Sequence, residues 1–305
     1  MEGRVMKSTG SWYEVLGENQ RLYQCRLQGK LRLEETKESN PVAVGDMVVL
    51  VIEGNDASIT EVKPRDNHIL RQSVKKTGHR HVLAANVDQV MLIATLKHPR
   101  TSNGFIDRFL VTAEAFRIPQ LVIFNKKDML TEEELHEVDQ LQNLYGSVGV
   151  GTELISAKED ESLEAVRELL KNKTTLVAGH SGVGKSTLLN RLFPHLQRAV
   201  NEVSDATLKG THTTTFAEMF MIDSRTFVID TPGVKEWGLF DMEPQEIADY
   251  FPEMRDLRLE CKFGSRCLHL QEPRCAVRQA VEDGRIHASR YQSYVNMVTG
   301  KDNRK

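Results

Sequence analysis

The chain has 305 residues, 40% of them hydrophobic, enough for two or three domains with cores of their own. A formal net charge of −3 excludes an overall basic field that would gather nucleic acid, and no apolar run approaches a membrane span. Four cysteines without a secretory signal pattern argue against a disulfide-stapled fold.

Residues 1–70 alternate short strand-like stretches (Ser11 to Val15, Arg21 to Leu27, Met47 to Ile52, Ser58 to Val62) with turns at Gly17-Glu18-Asn19, Gly29, Gly45-Asp46 and Gly54-Asn55-Asp56. Short strands at this spacing predict a small barrel of the OB-fold kind. Trp12, Tyr13 and Tyr23 suit two roles equally, stacking platforms for RNA bases or core and rim of the barrel. Cys25, remote from the other cysteines, reads as buried. Residues 71–81 hold Arg71, Lys75, Lys76 and Arg80 with His79 and His81 and no acid. They read as a linker and as a footprint for a phosphate backbone.

A second domain is expected over 82–245. Gln120 to Phe124 is an apolar strand that ends at Asn125-Lys126-Lys127-Asp128, an N-K-x-D motif. A carboxylate at Asp128 can accept from both the N1–H and the 2-amino group of guanine, which adenine does not offer. Asn125 would tie this loop to the phosphate loop and face the base, and the stem of Lys126 would cover it. Losing one such buried partner costs about 1–3 kcal/mol, so losing two rejects adenine strongly. A helix starts at Thr131 with the capping box Thr131-x-x-Glu134. After it, Ile155-Ser156-Ala157-Lys158 precedes a helical Leu163-to-Leu170 segment; Ser156-Ala157 matches the loop whose amide meets guanine O6.

Thr174 to Ala178 reads as a buried parallel strand. Gly179-His180-Ser181-Gly182-Val183-Gly184-Lys185-Ser186, followed by Thr187, fits the phosphate-binding template G-x-x-x-x-G-K-[ST]. A helix from Lys185 to Phe193 follows, with Leu188, Leu189 and Leu192 on one face and Pro194 as its stop. Strand, glycine loop and helix N-terminus together form an anion site, with Lys185 for the β- and γ-phosphates and Ser186 for Mg²⁺. Gly210-Thr211-His212-Thr213-Thr214-Thr215 is a polar run without period, suited to a switch loop. Thr214 is the favoured Mg²⁺ ligand there, with two adjacent threonines as alternatives. Phe227-Val228-Ile229-Asp230-Thr231-Pro232-Gly233 is an apolar strand ending in a Walker-B-type carboxylate, Asp230, with Gly233 placed to bring its amide near the γ-phosphate.

The base reader therefore precedes the phosphate loop, whereas an ordinary GTPase has it afterwards. Such a rotation is a circular permutation, and it makes the second switch lead straight into the segment after residue 240. A metabolic P-loop kinase or ATPase is the competing class; the intact Asn125-to-Asp128 motif counts against it.

In residues 246–305, Cys261, Cys267, His269 and Cys275 form C-x5-C-x-H-x5-C, three thiolates and one imidazole suited to a closed, structural Zn²⁺ site. Ile247, Phe251, Met254 and Leu257 predict a helix before the cluster, and 276–283 and 286–298 two more after it, separated by Gly284. From residue 266 onward there are eight Arg or Lys against four acids.

An OB-like barrel, a permuted α/β P-loop GTPase domain and a helical Cys-Cys-His-Cys domain, with Gly-x-His-Thr-Thr-Thr as first switch, resemble the RsgA (YjeQ) family over nearly the whole chain. Thr211 departs locally, at a position where a basic residue is common. The resemblance implies a cytoplasmic bacterial GTPase that uses GTP/GDP with Mg²⁺ and one structural Zn²⁺. It further implies action in late maturation of the 30S ribosomal subunit on 16S rRNA, stimulation by that particle, no membrane association, and a monomer away from the ribosome. Val234 stands where ordinary GTPases carry the water-orienting Gln. His212 is the nearest polar candidate for that task, and the resemblance points to it too.

Overall fold

The computed structural model describes residues 1–28, 40–54, 56–72, 80–194, 217–231 and 242–301. Five strands, β1 (Glu2–Ser8), β2 (Tyr13–Gly17), β3 (Leu22–Leu27), β4 (Met47–Glu53) and β5 (Asp56–Val62), pair in the order β1-β2-β3-β5-β4 and close through β4 on β1. Among the described residues closure gives every barrel strand two neighbours and encloses Val5, Tyr13, Val15, Cys25, Val48, Leu50 and Ile59. The three aromatics take different places in the barrel. Tyr13 belongs to the core, Tyr23 packs against it, and Trp12 lies outside with the Arg26 guanidinium over its ring at 4.0 Å. Burial pushes the Cys25 thiol up to about 11.

The segment 71–81, expected as a linker, departs from that reading at both ends. β6 (His68–Gln72) and β7 (Arg80–Ala85) pair antiparallel, with Arg71 opposite His81. Lys75, Lys76 and His79 lie outside the described residues. Ile69, Leu83 and Ala84 join the core of the following domain, which holds the hairpin down.

β8 (Gln89–Ala94), β9 (Gln120–Phe124), β10 (Gly151–Leu154), β11 (Thr174–Ala178) and β13 (Phe227–Asp230) form a parallel sheet in the order β10-β9-β8-β11-β13; β12 (Glu218–Met221) adds antiparallel to β13. Side-chain alternation divides the strands between two helical layers. Val90, Leu92, Val122, Phe124, Leu176 and Ile229 face α1 (Asn103–Ala115) and α2 (Glu132–Ser147). Met91, Ile93, Ile123, Val177 and Val228 face α3 (Asp160–Leu170) and α4 (Lys185–Leu192). The Thr131–Glu134 capping box starts α2 as expected. Barrel and sheet are continuous. β1 pairs with β12 at Lys7 and Glu218, and an ion pair of 2.8 Å joins the same two side chains.

The C-terminal region differs from expectation before its cysteines. One helix was predicted over 247–257; short pieces occur instead, a 3-10 turn at Ile247–Tyr250, α5 (Pro252–Arg255) and another 3-10 turn at Leu257–Glu260. Pro252 sits at the start of α5, where its missing N–H and fixed φ suit a first turn and interrupt a preceding one. α6 (Ala276–Glu282) and α7 (Ala288–Val298) follow, broken by Gly284 at φ +74°. Among the described residues no helix is long and apolar enough to cross a membrane.

Candidate functional site

All the parallel strands end on one edge of the sheet, which is why motifs far apart in sequence meet. β9 delivers Asn125, β10 delivers Ile155 and Ser156, β11 delivers Gly179 and β13 ends in Asp230. Ligands bind at such carboxyl ends in open α/β sheets.

Asn125 is the joint of the cleft. Its Nδ2 donates to the Val183 carbonyl of the phosphate loop at 2.9 Å, and its Oδ1 accepts from the Ala157 amide at 2.9 Å. One buried side chain thus fixes three loops relative to one another. Gly184 lies against it at φ +98°; a Cβ there would meet Asn125 Nδ2 at 2.4 Å, so only glycine fits. Lys126, in the left-handed region at φ 72°, reaches over the phosphate loop and donates to the Gly182 carbonyl at 2.7 Å and to that of His98. The Lys127 amide donates to Ile155 O at 2.9 Å, closing the base loop on the next strand end.

Asp128 projects from this loop. Its Oδ1 accepts from the buried Ser156 hydroxyl at 3.0 Å, and its Oδ2 pairs with exposed Lys158 Nζ at 2.8 Å. The Lys158 hydrogen bond, ahead of that from Ser156, holds the Asp128 carboxyl below its ordinary value of 3.8. Ser156 as an anchor for the Asp128 carboxylate, and Lys158 as its counter-ion, are contacts the sequence motif alone did not supply.

Gly179 follows β11 so closely that a Cβ would meet Ile93 O at 2.5 Å, and Val183 is buried beneath the loop. His180 packs its ring on Phe105 at 4.0 Å between centroids. Ser181, Ser186 and Thr187 are exposed at the loop and the first turn of α4. The Lys185 ammonium donates to the carbonyls of Gly179 at 2.7 Å and His180 at 3.2 Å. Burial lowers Lys185 while Asp230 pulls it back; burial raises Asp230 while Lys185 lowers it. Asp230 Oδ1 is buried without a hydrogen-bond partner among the described residues. A buried carboxylate oxygen without a partner, on the same edge of the sheet as the exposed Ser186 hydroxyl, is donor chemistry that Mg²⁺ takes. His212, Thr214 and Gly233 lie outside the described residues, as do Thr211 and Val234.

The second centre is closed. The ligand atoms of Cys261, Cys267, His269 and Cys275 lie within 4.8 Å of one another, and all four residues are buried. Cys261 Sγ is 3.8 Å from Cys275 Sγ, and His269 Nδ1 is 3.5 Å and 3.3 Å from those sulfurs. A tetrahedral site with Zn–S bonds of about 2.3 Å separates its sulfurs by about 3.8 Å, whereas a disulfide needs about 2.05 Å. Burial pushes the Cys267 thiol up to about 12, raises the Cys275 thiol and keeps the His269 ring below its ordinary 6.5. A supporting ring surrounds the ligands. Cys275 caps α6 and accepts from the Arg278 amide at 3.4 Å. Tyr291 donates to His269 O at 2.6 Å, and Glu272 gathers the amides of Leu268, Leu270 and Gln271. The donor set and spacing fit zinc.

A family model described as RsgA GTPase matches residues 62–240, and one described as RsgA N-terminal domain matches residues 2–59. The small ribosomal subunit biogenesis GTPase RsgA of Bacteroides fragilis (strain YCH46) is 48% identical over 303 residues, 99% of this chain and 97% of that relative. RsgA 2 of Bacteroides thetaiotaomicron is 46% identical with the same coverage. Among solved structures, YjeQ from Thermotoga maritima superposes with a TM-score of 0.79 at 35% identity, covering 98% of this chain and 97% of that one. YloQ, described as a circularly permuted GTPase, gives 0.75 at 33% identity, covering 100% and 96%.

Proposed function

The chain belongs to the RsgA GTPase family, and from that premise we propose that it hydrolyses GTP as a switch in late maturation of the small (30S) ribosomal subunit. In this reading it binds 16S rRNA, is stimulated by the particle, works in the cytoplasm and is a monomer away from the ribosome. The observation that carries the nucleotide reading is Asn125, which ties the base loop, the Ala157 loop and the phosphate loop into one cleft.

Each group in the cleft has a role in the proposal. Asp128, anchored by Ser156, accepts from the guanine edge, a backbone amide of the Ser156-Ala157 loop meets O6, and the Lys126 stem covers the ring. Backbone amides of residues 179–187 and the Lys185 ammonium hold the phosphates, favoured by the start of α4. Ser186, Thr214 and Asp230 would hold Mg²⁺, which when bound draws charge from the β- and γ-phosphate oxygens. The Gly233 amide would sense the γ-phosphate. Val234 cannot orient water, so we assign that task to His212. Cys261, Cys267, His269 and Cys275 hold a structural Zn²⁺ that compensates for a small C-terminal core.

The experiment is GTP turnover with purified 30S subunits, with 50S subunits as control. Stimulation by 30S alone is expected, and His212→Ala should keep GTP affinity while losing most of that stimulation. Equal turnover with either particle, or with none, would contradict the assignment.

A further inference from the structure

Helix α1 lies in the seam between the GTPase fold and the C-terminal unit, and its first turns touch both. Phe105 is buried, and its ring lies 4.0 Å from the His180 imidazole at an interplanar angle of 36°. Immediately upstream, the His98 carbonyl accepts from Lys126, the lysine that also holds Gly182, and Pro99 packs beneath that glycine. The segment from His98 to Phe105 therefore supports the phosphate loop through Lys126, Pro99 and the His180 ring.

Two residues beyond Phe105, Asp107 is fully buried and accepts from Arg290 Nη1 of α7 at 2.7 Å. The other edge of the same guanidinium holds Glu253 of α5, with Nε to Oε1 at 2.7 Å and Nη2 to Oε2 at 3.2 Å, and its plane lies over Phe251 at 4.6 Å. Farther along α1, Val111 belongs to the C-terminal core and Glu114 pairs with Arg255. The opposite face of the helix, Ile106, Phe109, Leu110 and Ala113, is bound into the GTPase core.

Asp107, Glu253 and Arg290 are 0%, 11% and 2% exposed in their side chains. A triad so buried is a poor stabiliser, because desolvation offsets most of its Coulomb energy and an apolar seam would hold the two units as well. What the triad supplies is direction: a planar, two-edged guanidinium permits one placement of Asp107, and a helix transmits that placement to Phe105 less than a turn away. We propose that Arg290 and Phe105 are positioning residues for the phosphate loop, through which the zinc-bearing unit sets the place of His180 and the amides that follow it. The proposal rests on the reading that this loop binds GTP and GDP.

Coupling of this kind is reciprocal, so nucleotide must be felt at α7. The test is hydrogen exchange of the full, zinc-loaded chain with and without GDP and Mg²⁺, with saturation measured on the same sample by a fluorescent GDP analogue, so that absent binding is read separately from absent coupling. Peptides covering 288–298 should exchange about fivefold more slowly with GDP, at the low end of measured couplings. Phe105→Leu, which keeps an apolar side chain but removes the ring from His180, should lose that protection and weaken GDP about fivefold while retaining zinc. Arg290→Lys, which keeps the charge but cannot hold both carboxylates in one plane, should do the same, so the test survives poor folding of either variant. Unchanged α7 exchange in the saturated parent chain would overturn the proposal. So would a folded variant of either kind with parental protection and parental GDP affinity.

Discussion

The Cys3His cluster and the nucleotide cleft both gather polar side chains at loop ends, yet one is shut and the other open. In the cluster all four residues are buried and a second ring of Glu272, Tyr291 and the Arg278 amide braces them. In the cleft Ser181, Ser186, Thr187 and Lys158 are exposed, while Asn125, Lys126 and Lys185 hold loop carbonyls. The first arrangement suits a ligand that stays for the life of the fold. The second suits one that is exchanged, with the loops pre-set by their own hydrogen bonds.

The largest effect should come from opening the closed centre. Cys275→Ser removes one thiolate while its hydroxyl can still cap α6, and a structural zinc would be worth on the order of 10 kcal/mol of folding. Zinc content by atomic absorption should fall well below one per chain, and the 246–301 region should lose its protection from proteolysis. Retained stoichiometric zinc would show that the centre is less closed than its geometry implies.

Asp128→Asn attacks the open site. Replacing one carboxylate oxygen by an amide NH2 leaves a single acceptor and turns a donor toward guanine, which at about 1–3 kcal/mol should weaken GDP by roughly tenfold or more, measured by calorimetry, with Tm little changed. Its pH behaviour sharpens the point. The Asp128 carboxyl is held below 3.8 by Lys158, so its ionised form persists above that value and is lost only as pH falls through the depressed one. GDP affinity should therefore be flat down to about pH 5, and Lys158→Ala should move the acid limb upward. An acid limb unmoved in that variant would remove Lys158 from the account.

The smallest effect is expected where neither site is involved. Lys7→Ala breaks a half-exposed pair with Glu218 at the barrel junction, worth at most about 1 kcal/mol. Tm should fall by no more than about 2 °C.

How much of this was legible follows from the range of each signal. The phosphate loop, the base reader, the capping box and the cysteine spacing are local, and each reports a loop or helix end without knowledge of the rest. Alternation could not tell Tyr13 from Trp12, because adjacent aromatics at a strand start differ only in which face the barrel closes around. The linker reading of 71–81 followed its charge, whereas Ile69, Val82 and Leu83 on its flanks decide the pairing by burial. The seam was invisible for a different reason. Arg290 meets Asp107 across 183 residues, and neither carries a motif. The same holds for buried Asp46, which accepts from Arg65 at 2.7 Å and 2.9 Å and from the Ala43 amide at 2.8 Å to brace the barrel base. Helix α1 has a sequence signal, Ser102 as cap and Phe105 and Phe109 at helical spacing, but nothing in it marks a junction.

The central claim, that loops from Asn125 to Asp230 form one guanine-nucleotide pocket, is tested most directly by titrating the zinc-loaded chain with GDP and ADP in the presence of Mg²⁺. Saturable GDP binding with ADP weaker by about 10²-fold or more is predicted. Equal affinity for the two purines, or no GDP binding at all, would contradict it.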